Sequence, residues 1–429
     1  MKLTDSTKIN RQDFDKPENK LEVKYGLPRE VKFCSVCNIS NQQPLSTNEY
    51  ENTKESSKNT MEFDENDVCH ACRFHEKKRN QEIDWDERER ELIDLCDRYR
   101  KNDGTYDCIV GGSGGKDGAM QSHLLKYKYG MHPLTVTWSP HLYTDIGWKN
   151  FQNWIHKGGF DNFLYTPNGH IHRLLTRNAT LNLLHPFQPF ILGQKTFVTK
   201  MAVKLDIPLI FYGEMPGEYG EKISHKTSSY SAPGQNAESS GFTLDPVGGK
   251  KFDEILLGGK SVQEYLDDGV PLIELQSYLP VDPNLLSEKG IDFKYLGYYK
   301  SWVPQEAYYY AVENTGFEAN PVRTEGTYSK YNSLDDKTDG FFYYTRWIKF
   351  GVGRAMMDSA QEIRNQHITK DEGQALIRRY EGEYPERYER EFLEFIGLSR
   401  NEFLDLCDEF RSPHLWKIEN EEWVLRYYP

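Results

Sequence analysis

The run Gly111-Gly112-Ser113-Gly114-Gly115-Lys116-Asp117 decides the fold of this 429-residue chain. It follows the apolar residues 106–110 and precedes an amphipathic segment with Met120, Leu124 and Leu125. This order predicts a buried strand, a glycine turn and a helix. Glycines let a phosphate approach the backbone, and the first amides of the helix point at the anion with the helix dipole behind them. The run therefore predicts a nucleotide phosphate site, with a ligand-free glycine turn as the alternative.

This turn differs from the Walker A phosphate loop at two positions. The Walker A pattern requires a glycine five positions before Gly115, where Val110 stands. It also requires a serine or threonine after Lys116, where Asp117 stands. The sequence therefore predicts a phosphate loop of another type.

A phosphate site of this kind needs a divalent cation to offset the charge of the phosphates. Magnesium prefers one or two carboxylates together with phosphate oxygens and water. We therefore expect Asp117 in the loop and Glu214 at a strand end to bind Mg²⁺, with Lys116 near the phosphates. The alternatives are a helix-terminal charge for Asp117, a salt bridge or substrate contact for Glu214, and solvent exposure for Lys116.

The composition predicts an acidic globular protein without a membrane span. The formal net charge of -13 argues against broad nucleic-acid binding, which relies on Lys and Arg that neutralise phosphates. No run of about 18 apolar residues is present, and the N-terminus lacks the apolar part of a signal peptide. Seven cysteines with two CxxC pairs fit intracellular metal binding better than secreted disulfides. We therefore expect a cytoplasmic protein.

Two CxxC pairs, Cys34 with Cys37 and Cys69 with Cys72, predict a zinc site with four cysteine ligands. Each pair places two thiolates on one turn of the chain, and a loop insertion between the pairs costs little entropy. An iron–sulfur cluster is the main alternative, because four thiolates also bind such clusters.

The composition changes along the chain and predicts five regions. They are a polar N-terminal segment (1–30), a zinc-binding module (31–78), a linker helix (79–104), an ATP-binding core (105–340) and a helical C-terminal region (341–429). Residues 46–60 resemble a solvent loop, and residues 225–252 either a mobile insertion that closes over substrate or an ordinary surface loop. Capping boxes at residues 369–372 and 399–402 predict the starts of two C-terminal helices.

Apolar runs that alternate with helical patterns predict a parallel α/β sheet with helices on both faces. The predicted strands cover residues 106–110, 133–138, 162–165, 207–212 and 292–299, and a long helical region covers residues 171–205. Ligands of such sheets bind beyond the carboxyl ends of the strands. The polar residues that follow a predicted strand are therefore site candidates: Ser113, Ser139, Thr144, Asp145, Asn168, Glu214 and Glu218.

The glycine turn and several downstream motifs resemble known enzyme families. Ser113-Gly114-Gly115-Lys116-Asp117 resembles the SGGxDS pyrophosphate loop of the PP-loop ATP pyrophosphatases, with Gly118 in place of the final serine. Five further motifs, in their shared order, resemble the N-acetyl sugar amidotransferase family of bacterial surface-polysaccharide biosynthesis. They are Thr144-Asp145-Ile146-Gly147-Trp148-Lys149-Asn150-Phe151, Pro189-Phe190-Ile191-Leu192-Gly193-Gln194-Lys195, Gly213-Glu214 with Glu218-Tyr219-Gly220, Lys349-Phe350-Gly351-Val352-Gly353-Arg354-Ala355, and Glu362-Ile363-Arg364.

The resemblance implies an adenine nucleotide alpha hydrolase-like core with ATP, Mg²⁺ and Zn²⁺ as cofactors. It implies that ATP adenylylates the oxygen of a sugar acetamido group and that ammonia replaces the AMP, which leaves an acetamidino group. The expected ATP-binding and catalytic residues are Gly112, Ser113, Gly114, Gly115, Lys116, Asp117, Gly118, Ser139, Asp145 and Glu214. The expected contacts to a nucleotide sugar are Asn168, Lys195, Glu218 and Arg354.

Ammonia is expected to come from a separate glutaminase subunit, as the family implies. The chain begins with Met1 rather than the N-terminal cysteine of one glutaminase class, and no cysteine stands in the strand-to-helix turn of the other. Two other functions stay open. A tRNA-thiolating PP-loop enzyme would carry a basic RNA surface and reactive cysteines near the loop, and a non-catalytic nucleotide-binding scaffold would suit the glycine at position 118.

Overall fold

A computed structural model describes residues 9–213, 215–220 and 251–429 of the chain. Its strands are β1 (Cys108–Gly111), β2 (Pro133–Trp138), β3 (Asn162–Tyr165), β4 (Leu209–Tyr212), β5 (Leu256–Leu257), β6 (Lys260–Ser261), β7 (Asp292–Tyr295), β8 (Trp416–Glu419) and β9 (Glu422–Leu425). Five of them form one parallel sheet in the order β3-β2-β1-β4-β7. The remaining four form two antiparallel hairpins. The predicted parallel α/β sheet is therefore confirmed.

Sixteen α-helices surround and extend this sheet in the described residues. The first eleven are α1 (His70–Arg79), α2 (Trp85–Tyr99), α3 (Lys116–His123), α4 (Asp145–His156), α5 (Gly169–Leu183), α6 (Gln188–Leu205), α7 (Val262–Asp267), α8 (Leu272–Leu275), α9 (Pro283–Glu288), α10 (Leu296–Tyr299) and α11 (Pro304–Thr315). The C-terminal ones are α12 (Asp339–Phe350), α13 (Arg354–Arg364), α14 (Lys370–Tyr380), α15 (Glu389–Ile396) and α16 (Arg400–Glu409). A π-helical turn (Leu124–Lys128) follows α3, and short 3-10 helices cover Arg11–Phe14, Glu18–Lys20, Glu49–Glu51 and Pro216–Tyr219.

Alternate residues of the central strands enter two hydrophobic cores on opposite faces of the sheet. Cys108 and Val110 of β1 belong to a core with Leu92 of α2. Ile109, between them, belongs to a second core with Val198 of α6. Burial on both faces is typical of the strands of a parallel sheet. Helices therefore cover both faces, as the sequence predicts.

The described part of the polar N-terminal segment, residues 9–30, packs against the C-terminal region. Phe14, Tyr25 and Leu27 are buried in the same core as helices α12, α15 and α16. The Tyr25 hydroxyl donates a hydrogen bond of 2.7 Å to the carbonyl of Phe410. The apolar residues of this segment are too widely spaced to form a helical or strand pattern, so their burial depends on the distant C-terminal region.

Residues 46–60 form a loop that is exposed along much of its length, as its composition predicts, but is anchored at two buried residues. Tyr50 is 5% exposed, and its hydroxyl donates a hydrogen bond of 2.7 Å to the carbonyl of Tyr278. Asn52 is buried as well. Several polar side chains of this loop line a cleft.

Three predicted elements differ from the structure in their bounds. The helical region 171–205 consists of α5 and α6, because Leu184 has a left-handed backbone (φ 46°) and Pro186 cannot donate an amide hydrogen bond. The predicted strand 292–299 ends as β7 at Tyr295 and continues as α10. The C-terminal region is helical but ends in the β8–β9 hairpin.

The capping boxes predicted in the C-terminal region are confirmed. The Thr369 side chain accepts from the Glu372 amide at the start of α14, and Ser399 and Glu402 do the same at α16. The predicted insertion at residues 225–252 lies outside the described residues except for its last two positions. Within the described part of the chain, no helix combines the length and the apolar character needed to cross a membrane.

Candidate functional site

The glycine turn lies at the carboxyl end of β1, where the sequence places it. The Gly112 amide donates a hydrogen bond of 3.1 Å to the carbonyl of Val136 in β2, which anchors the turn to the sheet. Gly114 has φ +91°, and a Cβ atom there would lie 2.6 Å from the backbone of Phe151. Only glycine fits this conformation and this close approach. The turn is therefore held in one shape by its neighbours.

Helix α3 begins directly after the turn, and its first amides face the same space. Its N-cap residue is Gly115, whose lack of a side chain means that no side-chain oxygen caps the helix. Uncapped amides at a helix N-terminus form a site for anions. The cleft beside them is lined by the loop residues Gly111, Gly112, Ser113, Gly115, Asp117 and Gly118, and by Trp138, Gln194, Tyr212 and Gly213 from the neighbouring elements.

Asp117 is held in a fixed position at the edge of this cleft. Its Oδ1 accepts a hydrogen bond of 2.8 Å from Nε1 of Trp302, and its Oδ2 lies 2.7 Å from Nζ of Lys116. Both side chains are partly buried, with exposures of 22% for Asp117 and 11% for Lys116. An oriented carboxylate beside an ammonium group can bind a divalent cation and a phosphate together. The sequence does not identify Trp302, because 185 residues separate it from Asp117.

A group of acids lies at the start of α12 and just before it, and Asp335 of this group is near Ser113 of the loop. Burial raises the pKa of Asp335, and the Ser113 hydroxyl acts in the opposite direction. Burial also raises the pKa of Asp336 to about 7 and that of Asp339 well above its ordinary value. These acids therefore carry less negative charge at neutral pH than their number implies. They come from a region without a strand-end signal, so the sequence analysis missed them.

Two further candidates for ATP binding, Ser139 and Asp145, lie near the carboxyl end of β2 but do not line the cleft. Ser139 is buried and its hydroxyl donates to the carbonyl of Pro140. Asp145 is exposed on the first turn of α4, which Thr144 caps. Glu214 lies outside the described residues.

The four cysteines of the CxxC pairs form one compact buried group. Sγ of Cys34 lies 3.8 Å from Sγ of Cys72, and Sγ of Cys37 lies 3.7 Å from Sγ of Cys69. A tetrahedral zinc ion with bonds of about 2.3 Å requires sulfur atoms about 3.8 Å apart. Backbone amides of Val36, Cys69 and Cys72 donate to these sulfurs. The four thiols could therefore hold zinc, and among the described residues they are the group with metal-ligand spacing.

Glu218 connects the cysteine group to the end of β4. It is 2% exposed, and its carboxylate lies 2.7 Å from Nε2 of His75 and against Nζ of Lys78, both on α1. Burial acts to raise its pKa, but the His75 hydrogen bond and the Lys78 charge hold the pKa of Glu218 below its ordinary value. Arg364 donates to the Glu218 carbonyl and to Sγ of Cys37. This network fixes the segment that follows Gly213 at the phosphate cleft.

The four predicted sugar contacts do not share one place. Arg354 and Glu218 line a small cleft next to the cysteine group, where Arg354 lies 2.9 Å from Asp358. Lys195 lines a separate cleft. Asn168 lines neither of these clefts. Its side chain caps α5 and donates a hydrogen bond of 2.9 Å to Glu274.

All seven cysteines of the chain are buried. Burial raises the pKa of Cys96 to about 12 and raises that of Cys108 well above its ordinary value. A nucleophilic cysteine needs a thiolate, which such an environment disfavours. Neither residue therefore fits the role of a glutaminase nucleophile.

Comparison with known families gives one match. Residues 325–427 match the family model described as "LPS biosynthesis protein WbpG-like, C-terminal domain". This range includes Asp335 and helices α12 to α16. No curated protein matches the chain. The match supports a role of this protein in surface-polysaccharide, and specifically lipopolysaccharide, biosynthesis.

Proposed function

We propose that this chain is an ATP-dependent amidotransferase that converts an acetamido group of a sugar to an acetamidino group during lipopolysaccharide biosynthesis. The observation that carries the proposal is the strand, glycine turn and uncapped helix with Asp117 beside it. The turn resembles a PP-loop except at Gly118, and residues 325–427 of the same chain match the WbpG-like family model.

The proposed reaction has two steps. The acetamido oxygen attacks the α-phosphorus of ATP, and the bond to the β-phosphate breaks to release pyrophosphate. Ammonia then adds to the activated carbon and loses a proton to solvent, and AMP departs with the original oxygen. An amide carbonyl is a poor electrophile, and a phosphate ester makes its oxygen a leaving group. No nucleophilic side chain is required, in keeping with the buried state of every cysteine.

The residues around the cleft have defined tasks in this reaction. The amides at the start of α3 and the Lys116 ammonium group offset the negative charge of the departing pyrophosphate. The Asp117 carboxylate, oriented by Trp302, is positioned to hold Mg²⁺, which supplies further charge neutralisation when bound. Asp335, which lies in the region that matches the WbpG-like family model, is near Ser113 of the loop.

The four cysteines serve a structural task in the proposal. A zinc ion at this site would join residues 34–72 into one module and, through Arg364 and Glu218, support the end of β4. The buried thiols are far better suited to this than to sulfur transfer, which requires an accessible cysteine.

The proposal is tested by the products of the purified chain. It would be incubated with ATP, Mg²⁺, ammonium and a panel of nucleotide-linked acetamido sugars, and analysed by mass spectrometry. We expect AMP and pyrophosphate, and one sugar with a mass change that matches replacement of oxygen by NH. ATP binding without pyrophosphate release for every sugar would instead indicate a nucleotide-binding scaffold.

The nitrogen source gives a separate prediction. With glutamine in place of ammonium the single chain should form no amidinated product, because neither Cys96 nor Cys108 can act as a glutaminase nucleophile. Addition of a glutaminase subunit should restore the reaction. Efficient glutamine hydrolysis by the single chain would contradict this part of the proposal.

A further inference from the structure

A second cleft, of about 200 Å³, lies between the segment 44–58, the junction of α5 and α6, and helix α12. Four cationic side chains line it: Lys58, Lys195, Arg346 and Lys349. Glu49 is the carboxylate among the lining residues. This excess of positive charge is unusual in a chain whose formal net charge is -13. It indicates a site built for an anion.

Arg346 provides the strongest indication of a missing ligand. Its Nε and Nη2 atoms are buried and have no hydrogen-bond partner among the described residues. Burying charged nitrogens without hydrogen-bond partners costs free energy in general, and the charges of Tyr343 and Glu381 offset this only in part, since burial lowers the pKa of Arg346 to about 10. An anion that enters the cleft would supply the missing hydrogen-bond partner.

Lys349 is the second buried cation of the cleft. It is 8% exposed, and its Nζ donates a hydrogen bond of 2.8 Å to the carbonyl of Leu183. On the opposite wall, Nζ of Lys58 donates to Thr47 and Asn52. Asn52 in turn donates to Glu49, which ties the carboxylate to the wall. The neutral partners of both lysines leave their charges available to a ligand.

The side chains on the other walls of the cleft indicate which chemical groups the ligand carries besides its anionic group. Hydroxyl and amide side chains of Ser46, Thr47, Asn52, Thr53 and Ser56 line one side, and Phe342 and Phe350 line the other. Such walls suit a ligand with hydroxyl groups and a flat ring. Helix α6 contributes a side chain to each cleft, since Gln194 lines the phosphate cleft and Lys195 lines this one.

We infer that this second cleft binds the diphosphate group of a nucleotide-sugar substrate, through Arg346, Lys349, Lys58 and Lys195. The inference rests on the proposed function, which requires a sugar substrate near the phosphate cleft. A diphosphate diester carries two negative charges, which matches the excess of cations in the cleft. The WbpG-like domain contributes Arg346 and Lys349, and helix α6 of the core contributes Lys195.

Calorimetry with UDP-N-acetylglucosamine as the probe tests the inference. The wild-type chain should bind this probe, and N-acetylglucosamine, which lacks the diphosphate, should not compete. Arg346→Met should weaken binding by about 10-fold to 100-fold, because charge-assisted hydrogen bonds are lost. Arg90→Met, at a side chain that is 62% exposed, is the matched control and should bind as the wild type does.

A second ligand distinguishes whether the cleft binds the diphosphate of a nucleotide sugar or the phosphates of ATP. α,β-Methylene-ATP cannot be cleaved between its α- and β-phosphates, and it should bind at the glycine turn. Its affinity should change less than that of UDP-N-acetylglucosamine in Arg346→Met. An equal loss for both ligands would assign the cleft to ATP and overturn the inference.

Thermal unfolding without ligand distinguishes a binding role from a structural one. Arg346→Met should melt at the wild-type temperature or above, because it removes a buried charge without a partner. Lys349→Met gives an independent measure of binding if Arg346→Met does not fold. Wild-type affinity in both variants, or no binding of the probe by the wild type, would contradict the inference.

The pH dependence of binding gives a further readout. Burial lowers the pKa of Lys349 to about 7, with the Lys58 charge acting in the same direction and Glu49 opposing it. His185, whose pKa burial lowers to about 4, and the ring of Tyr25 also face this side chain. The free chain loses the Lys349 charge as pH rises, and the diphosphate of the probe keeps its charge over this range. Affinity should therefore fall from about pH 6 to about pH 9, and Lys349→Met should flatten this profile.

The outcome separates this inference from the proposed function. Pyrophosphate release by the wild type together with Arg346-independent probe binding would overturn the inference alone. Arg346-dependent probe binding without AMP formation would overturn the amidotransferase reaction and leave the anion site in place.

Discussion

At the scale of single residues, two glycines of the same turn give opposite predictions for the same substitution. Gly114 has a left-handed backbone, and a Cβ atom there would lie 2.6 Å from the backbone of Phe151. Gly114→Ser should therefore lower the free energy of unfolding by about 2 kcal/mol or more. At Gly118 a Cβ would lie 3.4 Å from Gly112, which is an ordinary contact. Gly118→Ser should therefore fold and gain about 0.5 kcal/mol in helix propensity.

Denaturant unfolding of both variants measures the difference. The pair controls for side-chain chemistry, because both substitutions add one hydroxymethyl group. Gly118→Ser also adds the hydroxyl found in the PP-loop pattern, and we expect equal or tighter binding of α,β-methylene-ATP. Equal stability of the two variants would show that the turn does not have the described shape.

Asp117 gives the second residue-scale prediction. Asp117→Asn retains an acceptor for Trp302 but removes the charge that pairs with Lys116. We expect AMP and pyrophosphate formation to fall by at least about 100-fold, because preorganised charge contributes most of the catalysis at such sites. Zinc content and melting temperature should stay near the wild-type values. Asp94→Asn, on helix α2, is the control, and undiminished turnover in Asp117→Asn would exclude the carboxylate from the mechanism.

At this scale, the sequence predicts a residue's place when neighbouring residues determine it, and does not when a distant segment does. The glycines, Lys116 and Asp117 were predictable because the local order of strand, turn and helix determines their position. Trp302, Asp335 and Arg346 were not, because each reaches its cleft only through tertiary packing of a distant segment. Asn168 shows that the position after a strand end is also where a residue caps the next helix.

At the scale of elements, the cysteine group and the end of β4 should respond together. Cys69→Ser should lower the bound zinc, the melting temperature and the rate of AMP formation, because Arg364 contacts both Cys37 and Glu218. Cys407→Ser also alters a buried cysteine, but in the core of α16, and should lower stability alone. Metal analysis and calorimetric unfolding distinguish the two effects. Full turnover in a zinc-free Cys69→Ser chain would contradict the coupling.

The strands of the parallel sheet were the most predictable elements, although the bounds of β1, β4 and β7 differ from the predicted ones. Residues 133–138 and 162–165 were predicted with the bounds of β2 and β3, since apolar runs between turn signals identify such strands. The break between α5 and α6 depends on the backbone of Leu184 and on Pro186, which interrupt an otherwise continuous helical pattern. The β8–β9 hairpin was not predicted, because helical periodicity dominates the C-terminal region.

At the scale of the whole molecule, the chain is held together by contacts between its ends. The N-terminal residues 9–30 pack on α12, α15 and α16, and the cysteine group packs on α13 and α14. The C-terminal region thus packs against the N-terminal segment and the cysteine group and lines the second cleft. Composition alone gives no sign of these contacts, because no local pattern connects residues that are hundreds of positions apart.

The transfer of oxygen from the sugar to AMP tests the central claim most directly. The chain would be incubated with ATP, ammonium and its nucleotide-sugar substrate carrying a heavy-oxygen label in the acetamido group. Adenylylation of that oxygen at the α-phosphorus predicts AMP that carries the label and a sugar that has lost it. Unlabelled AMP, or formation of ADP and phosphate in place of AMP and pyrophosphate, would contradict the account.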